Sequence, residues 1–125
     1  PGPEDGLGAC PPSPNCVSSS EDDPAHALEP FVLAAPPEAV WTALRTRLEA
    51  RPRWRVLEAR EDYLHAAART ALLRFVDDVE FRLDRAGGRL HVRSASRLGW
   101  SDLGANRRRL EALRRELAEA GLVEP

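Results

Sequence analysis

The sequence contains no methionine and no lysine, only two cysteines, and one tyrosine beside three tryptophans and three phenylalanines. Each scarcity excludes something. Two thiols fall short of the cysteine set that structural zinc sites favour. So few aromatics cannot interleave with arginines as a single-strand stacking platform requires, which argues against nucleic-acid binding. No apolar run approaches the roughly 20 residues needed to span a bilayer, the longest clean stretch being only Phe31 to Ala35. There is no secretory h-region, no phosphate-binding glycine loop and no Gly-x-Ser-x-Gly nucleophile elbow. Pro1 in place of an initiator methionine fits an upstream segment trimmed from the chain, so the compartment stays open. What is present, 125 residues with 42% hydrophobic and 30% charged, is the composition of one globular domain with a single core.

The net charge of −2 conceals an asymmetry. Residues 1–30 carry Glu4, Asp5, Glu21, Asp22, Asp23 and Glu29 and no arginine, whereas the remainder carries every basic residue. An acidic arm therefore precedes a basic body. It is either simply solvated or laid along arginines of the body. Every basic residue is arginine, a side chain suited to bidentate carboxylate pairing, although a GC-rich or thermophilic source accounts for such a bias better.

The pattern predicts an α+β fold. An extended arm over residues 1–30, rich in Pro, Gly and Ser, carries the Cys10/Cys16 loop. One α+β domain over residues 31–125 follows. Phe31 to Ala35 reads as a buried strand stopped by Pro36-Pro37. Val40, Trp41, Leu44 and Leu48 then mark one stripe of an amphipathic helix. Arg53–Arg60 and Tyr63–Thr70 read as strands whose facing is ambiguous, because both parities mix polar and apolar residues. Leu73, Phe75, Val79, Phe81 and Leu83 share one parity with Asp77, opposite Arg74, Asp78, Glu80, Arg82 and Asp84. A final helix is expected after Ser101 or Asp102 as N-cap, with Leu103, Leu110, Leu113 and Leu117 buried and Gly121 as its stop. The result is an antiparallel sheet of about four or five strands, order β-α-β-β-β-β-α, with two helices mainly on one face.

The turn Arg85-Ala86-Gly87-Gly88 fixes a hairpin register. Pairing Leu83 with Leu90 sets Phe81 beside Val92, Val79 beside Ser94 and Asp77 beside Ser96. On the other face Glu80 meets Arg93 and Arg82 meets His91. A slip of one residue would turn the apolar set to the wrong face, whereas a slip of two keeps it inward and stays open as an alternative.

The densest polar segment runs from Arg93 to Arg109. It leaves the last strand and enters a helix N-terminus, where free N–H groups and the helix dipole favour an anion. Arg93, Arg97 and Arg107 add guanidinium forks, and Ser94, Ser96, Ser101 and Asn106 add neutral donors. Asp102 at the helix start and Asp77, Asp78 and Glu80 nearby offer an internal alternative, in which the same residues only lock a strand–helix junction. Asp77, on an otherwise apolar strand face, needs partners if buried. Ser94, Ser96, Arg107 and the helix start are the candidates. Alternation puts His91 opposite the serines, which weakens a nucleophilic reading. Cys10 and Cys16 bracket a loop short enough for a disulfide. That pairing ranks ahead of free thiols, and both rank ahead of a metal site completed by His26, His65 or His91.

Three segments then carry a resemblance. Cys10-Pro11-Pro12-Ser13-Pro14-Asn15-Cys16-Val17-Ser18-Ser19, Phe75-Val76-Asp77-Asp78-Val79-Glu80-Phe81 and Arg93 through Arg107, in that order, resemble the hallmark blocks of domain-of-unknown-function family 1499. The resemblance covers the chain from about Cys10 to the end of the last helix. It implies an extracytoplasmic, periplasmic or membrane-anchored bacterial domain and a Cys10–Cys16 bridge, with a cytoplasmic setting as the alternative. It brings no activity or cofactor. The expected function is a non-enzymatic binding or assembly module. Its site combines Asp77, Arg93, Ser94, Ser96, Arg97, Ser101, Asp102, Asn106 and Arg107, and its ligand is a small anion or an acidic segment of a partner protein. The alternatives are a hydrolase or transferase using Asp77 with nearby Ser and Arg, and a purely structural domain. No cofactor and no metal are expected.

Overall fold

A computed structural model of the chain describes residues 7–70, 75–99 and 102–125. The elements are β1 (Cys16–Ser18), β2 (Phe31–Val32), α1 (Pro37–Glu49), β3 (Trp54–Ala59), β4 (Tyr63–Arg69), β5 (Val76–Asp84), β6 (Arg89–Ser96) and α2 (Ala105–Glu119). The strands form one antiparallel sheet in the order β1-β6-β5-β4-β3, and β2 also pairs with β6. The expected β-α-β-β-β-β-α order holds, with one further strand ahead of it. That strand, β1, lies in the arm and pairs Cys16 with Ala95 and Ser18 with Arg93, while β2 pairs Phe31 with Leu90. Two short strands thus cover successive halves of one strand edge, which would otherwise expose unpaired backbone groups.

The β5–β6 register is the expected one, from Leu83 opposite Leu90 to Asp77 opposite Ser96. Its inward face carries Val79, Phe81, Leu83, Leu90 and Val92, all buried against Leu44 and Leu48 of α1 and Leu110, Leu113 and Leu117 of α2. Burying that much apolar area is the main favourable term for the fold. The outward face is a grid of charges, with Glu80 opposite Arg93 and His65 opposite Glu80.

β3 and β4 look ambiguous in sequence for two reasons. A register shift between Val56 and Glu58 inverts the parity of β3 at Leu57. In β4 alanine stands on both faces, Ala66 and Ala68 inward and Ala67 outward.

Several expectations are corrected. The buried stripe of α2 does not include Leu103, which is 84% exposed. The helix begins only at Ala105, after Leu103 and Gly104 have both taken positive φ, 55° and 80°. Phe75 precedes β5 and is 49% exposed, so it does not share the inward face. β2 ends at Val32, and Leu33 makes an antiparallel bridge to Val123 instead of extending the strand. Leu73, Arg74 and Ser101 lie outside the described residues.

Candidate functional site

Asp77 is 2% exposed, and its carboxylate pairs with Arg109 Nη2 at 2.6 Å. The partner is not Arg107. On α2, Asn106, Leu110, Leu113 and Leu117 face the sheet, and Arg109 falls on that side of the helix with Asn106. Arg107, turned away by about 100° per residue, reaches the arm and donates to the carbonyls of Ala27 (2.7 Å) and Pro24 (3.4 Å).

Asn106, fully buried, is the centre of the cluster. Its Oδ1 accepts from Ser94 Oγ at 2.6 Å and from Arg109 Nη1 at 2.8 Å. Its Nδ2 donates to Asp102 Oδ2 (2.6 Å), Ser96 Oγ (3.0 Å) and the Asn15 carbonyl (3.1 Å). Arg109 Nη1 also donates to Ser94 Oγ. Asn15, buried beside the disulfide, returns the tie by donating from Nδ2 to the Gly99 carbonyl at 2.6 Å. Cys10 and Cys16 form that disulfide, with Cα atoms 5.7 Å apart. The described residues hold no free cysteine and no cluster suited to a metal ion.

Asp102 caps α2 from outside. Its carboxylate accepts N–H bonds from Gly104 at 2.8 Å and Asn106 at 3.0 Å. Burial works to raise its pKa, but the hydrogen bonds from Asn106 and Gly104 outweigh burial and hold it below the ordinary 3.8. Asp78 is also held low, chiefly by bidentate bonds from Arg97, with His65 adding to the effect. Carboxyls lowered on folding are protonated more readily in the unfolded chain. Their stabilisation is complete above about pH 4 and is lost as pH falls through the lower folded values. Urea midpoints measured against pH should therefore hold steady at neutrality and drop below about pH 4. Asp102→Asn should shrink that acid-side drop.

The arginines expected to bind a ligand are therefore occupied. Arg93 donates to Glu80 and to the Ala9 carbonyl, Arg97 to Asp78, and Arg107 to the arm. Ser94, Asn106 and Asp77 are buried, and Ser96 and Asp102 point into the same cluster. Among the described residues this cluster ties β6, α2 and the disulfide loop together, with the Asp77 side chain turned into it.

A family model described as "Protein of unknown function (DUF1499)" matches residues 6–117. The chain belongs to the DUF1499 family. No curated protein and no solved structure matches it. In this DUF1499 domain the three blocks distinguished in the sequence meet at one place. Asn15 comes from the first, Asp77 from the second, and Ser94, Ser96, Asp102 and Asn106 from the third. Arg109, which closes the cluster, lies two residues beyond the third block.

A different group of arginines in the DUF1499 domain stays unsaturated. Most guanidinium groups hold a carboxylate or a backbone carbonyl. Among the described residues, Arg53, Arg55 and Arg69, together with the exposed Arg115 on α2, hold neither. The first three stand on the outward face of the sheet, around a groove of about 440 Å³ that Trp54, Leu57, Val76 and Arg97 also line. The Arg69 N–H bonds the Arg53 carbonyl, Arg69 lies opposite Val76, and the Arg97 N–H bonds the Val76 carbonyl. Arg53, Arg69, Val76 and Arg97 thus form one row at the adjoining ends of four strands.

Proposed function

We propose that this domain is a non-enzymatic binding module for an anionic group, and that Arg53 and Arg69, with Arg55 beside them and the Asp78-held Arg97 at the end of their row, form its binding surface. The observation that carries this reading is the backbone bond that sets Arg53 beside Arg69 just ahead of β3, with neither guanidinium paired to a carboxylate among the described residues. Like charges directly opposite one another on a sheet destabilise it. A fold supplied with acids for most of its other arginines has no stability motive for leaving these without one. A phosphate or carboxylate would bridge the forks by charge-assisted hydrogen bonds. Of the residues expected from sequence, Arg97 belongs to this surface. Asp77, Ser94, Ser96, Asp102 and Asn106 act beneath it, holding the strand ends in place. The disulfide supports an extracytoplasmic setting such as the bacterial periplasm, since such bonds persist in oxidising compartments.

The test is a calorimetric titration with inorganic tripolyphosphate. Arg53→Glu should lower affinity at least tenfold, on the order of 1.4 kcal/mol. The same variant should stabilise the free domain by a few tenths of a kcal/mol, because a like-charge pair becomes an opposite one. Arg115→Glu, an exposed change on α2 remote from the groove, should alter neither. Equal affinities for Arg53→Glu and the parent would end the proposal.

A further inference from the structure

The groove sits at one pole of the sheet, where β3 and β5 begin and β4 and β6 end. The same pole carries unusually bare apolar side chains. Leu98 is 75% exposed, Leu103 84%, and Phe75 and Leu57 about half. Large side chains in water are unremarkable singly, but a group of them marks a contact surface.

Two features show that these leucines are held outward rather than left over. The backbone beside Leu98 is fixed where Asn15 Nδ2 bonds the Gly99 carbonyl, and the backbone beside Leu103 is fixed where Asp102 takes the Gly104 and Asn106 N–H groups. Leu103 also adopts φ 55°, a left-handed conformation that L residues other than glycine, asparagine and aspartate seldom take. An exposed leucine contributes nothing to the core, and glycine would fit that backbone without strain. The turn brings the Leu103 carbonyl to Arg108 Nη1, 2.6 Å away, while its side chain stays 84% exposed.

We propose that this pole docks on the surface of an anionic lipid bilayer, with Arg53, Arg55 and Arg69 against the headgroup phosphates and Leu98 and Leu103 entering the acyl boundary. The inference rests on the anion-binding reading above and names the source of the anion. Charge complementarity selects the partner. Unneutralised guanidinium groups beside apolar tips suit a surface that is negative at its edge and oily just beneath. No helix among the described residues is long and apolar enough to cross a membrane.

The experiment is co-sedimentation of the disulfide-intact chain with vesicles of phosphatidylcholine, with or without phosphatidylglycerol, alongside the tripolyphosphate titration. Binding is expected only with phosphatidylglycerol present. Arg69→Gln should weaken it roughly fivefold. The pair Leu98→Ser with Leu103→Gly should weaken vesicle binding roughly tenfold and leave tripolyphosphate affinity unchanged. Leu103→Gly alone, which relieves the left-handed strain, guards against a folding defect and should still reduce vesicle binding. Two results would overturn the inference while sparing the anion site: tripolyphosphate binding without vesicle binding, and vesicle binding indifferent to both leucines. Failure to bind either would defeat both readings.

Discussion

Arg109→Ala is expected to destabilise the folded chain by about 3–5 kcal/mol, because it leaves the Asp77 carboxylate buried beside Ser94 and Ser96 with no counter-charge. Asp77 is 3% exposed at its side chain and Arg109 15%, so water cannot replace the lost guanidinium. Arg109 also donates to Ser94 and Asn106, which would lose a partner each. Urea denaturation followed by far-ultraviolet circular dichroism measures the loss. The complementary variant Asp77→Leu with Arg109→Met should recover much of it, since apolar replacement of a whole buried pair is often neutral. Loss of the same size in the double variant would show that the ion pair is not the source.

The second large effect is expected at Asn106. Asn106→Leu removes an acceptor for Ser94 and Arg109 and donors for Asp102, Ser96 and the Asn15 carbonyl, and its larger side chain adds overpacking to the loss. Each buried group left unmade costs about 1–3 kcal/mol, so the sum should reach at least ~3 kcal/mol. Asn106 and Arg109 share partners, so their losses should not add. A double-mutant cycle should return a coupling of roughly 1 kcal/mol or more. Additive losses would mean that the cluster is a set of independent bonds rather than one network. Loss of Asn106 also removes a link to the Cys10–Cys16 loop, so proteolysis in the arm should quicken.

The hairpin was legible in the sequence because β5 and β6 alternate strictly and two glycines mark their turn, so Leu83 opposite Leu90 leaves little freedom. The inward carboxylate at Asp77 followed from the same alternation. Its partner did not follow, because a two-residue difference along a helix is more than half a turn. Arg107 is nearer the helix start, but Arg109 is the residue that shares a side with Asn106 and Leu113. That periodicity was available, and it outranks proximity in sequence. β1 was hidden by its brevity, since three residues, Cys16–Ser18, show no alternation, and only the β6 edge makes them a strand. The arm's own acids also misled. Among the described residues, Arg107, Arg114 and Arg93 hold it through backbone carbonyls of Ala27, Glu29 and Ala9 rather than through its carboxylates. Arg53 and Arg69 went unremarked because the bulge at Leu57 and the alanines of β4 concealed which face they share.

A buried polar cluster that builds the strand ends and an open arginine row that uses them make different demands on one experiment. Backbone amide shifts of the ¹⁵N-labelled chain, followed during titration with inorganic tripolyphosphate, distinguish them residue by residue. Saturable shifts should centre on Arg53, Arg55, Arg69, Val76 and Arg97, while Ser94 and Asn106 stay still. Shifts centred instead on the Asp102–Asn106 turn, or no saturable shift anywhere on the outward face, would contradict the account.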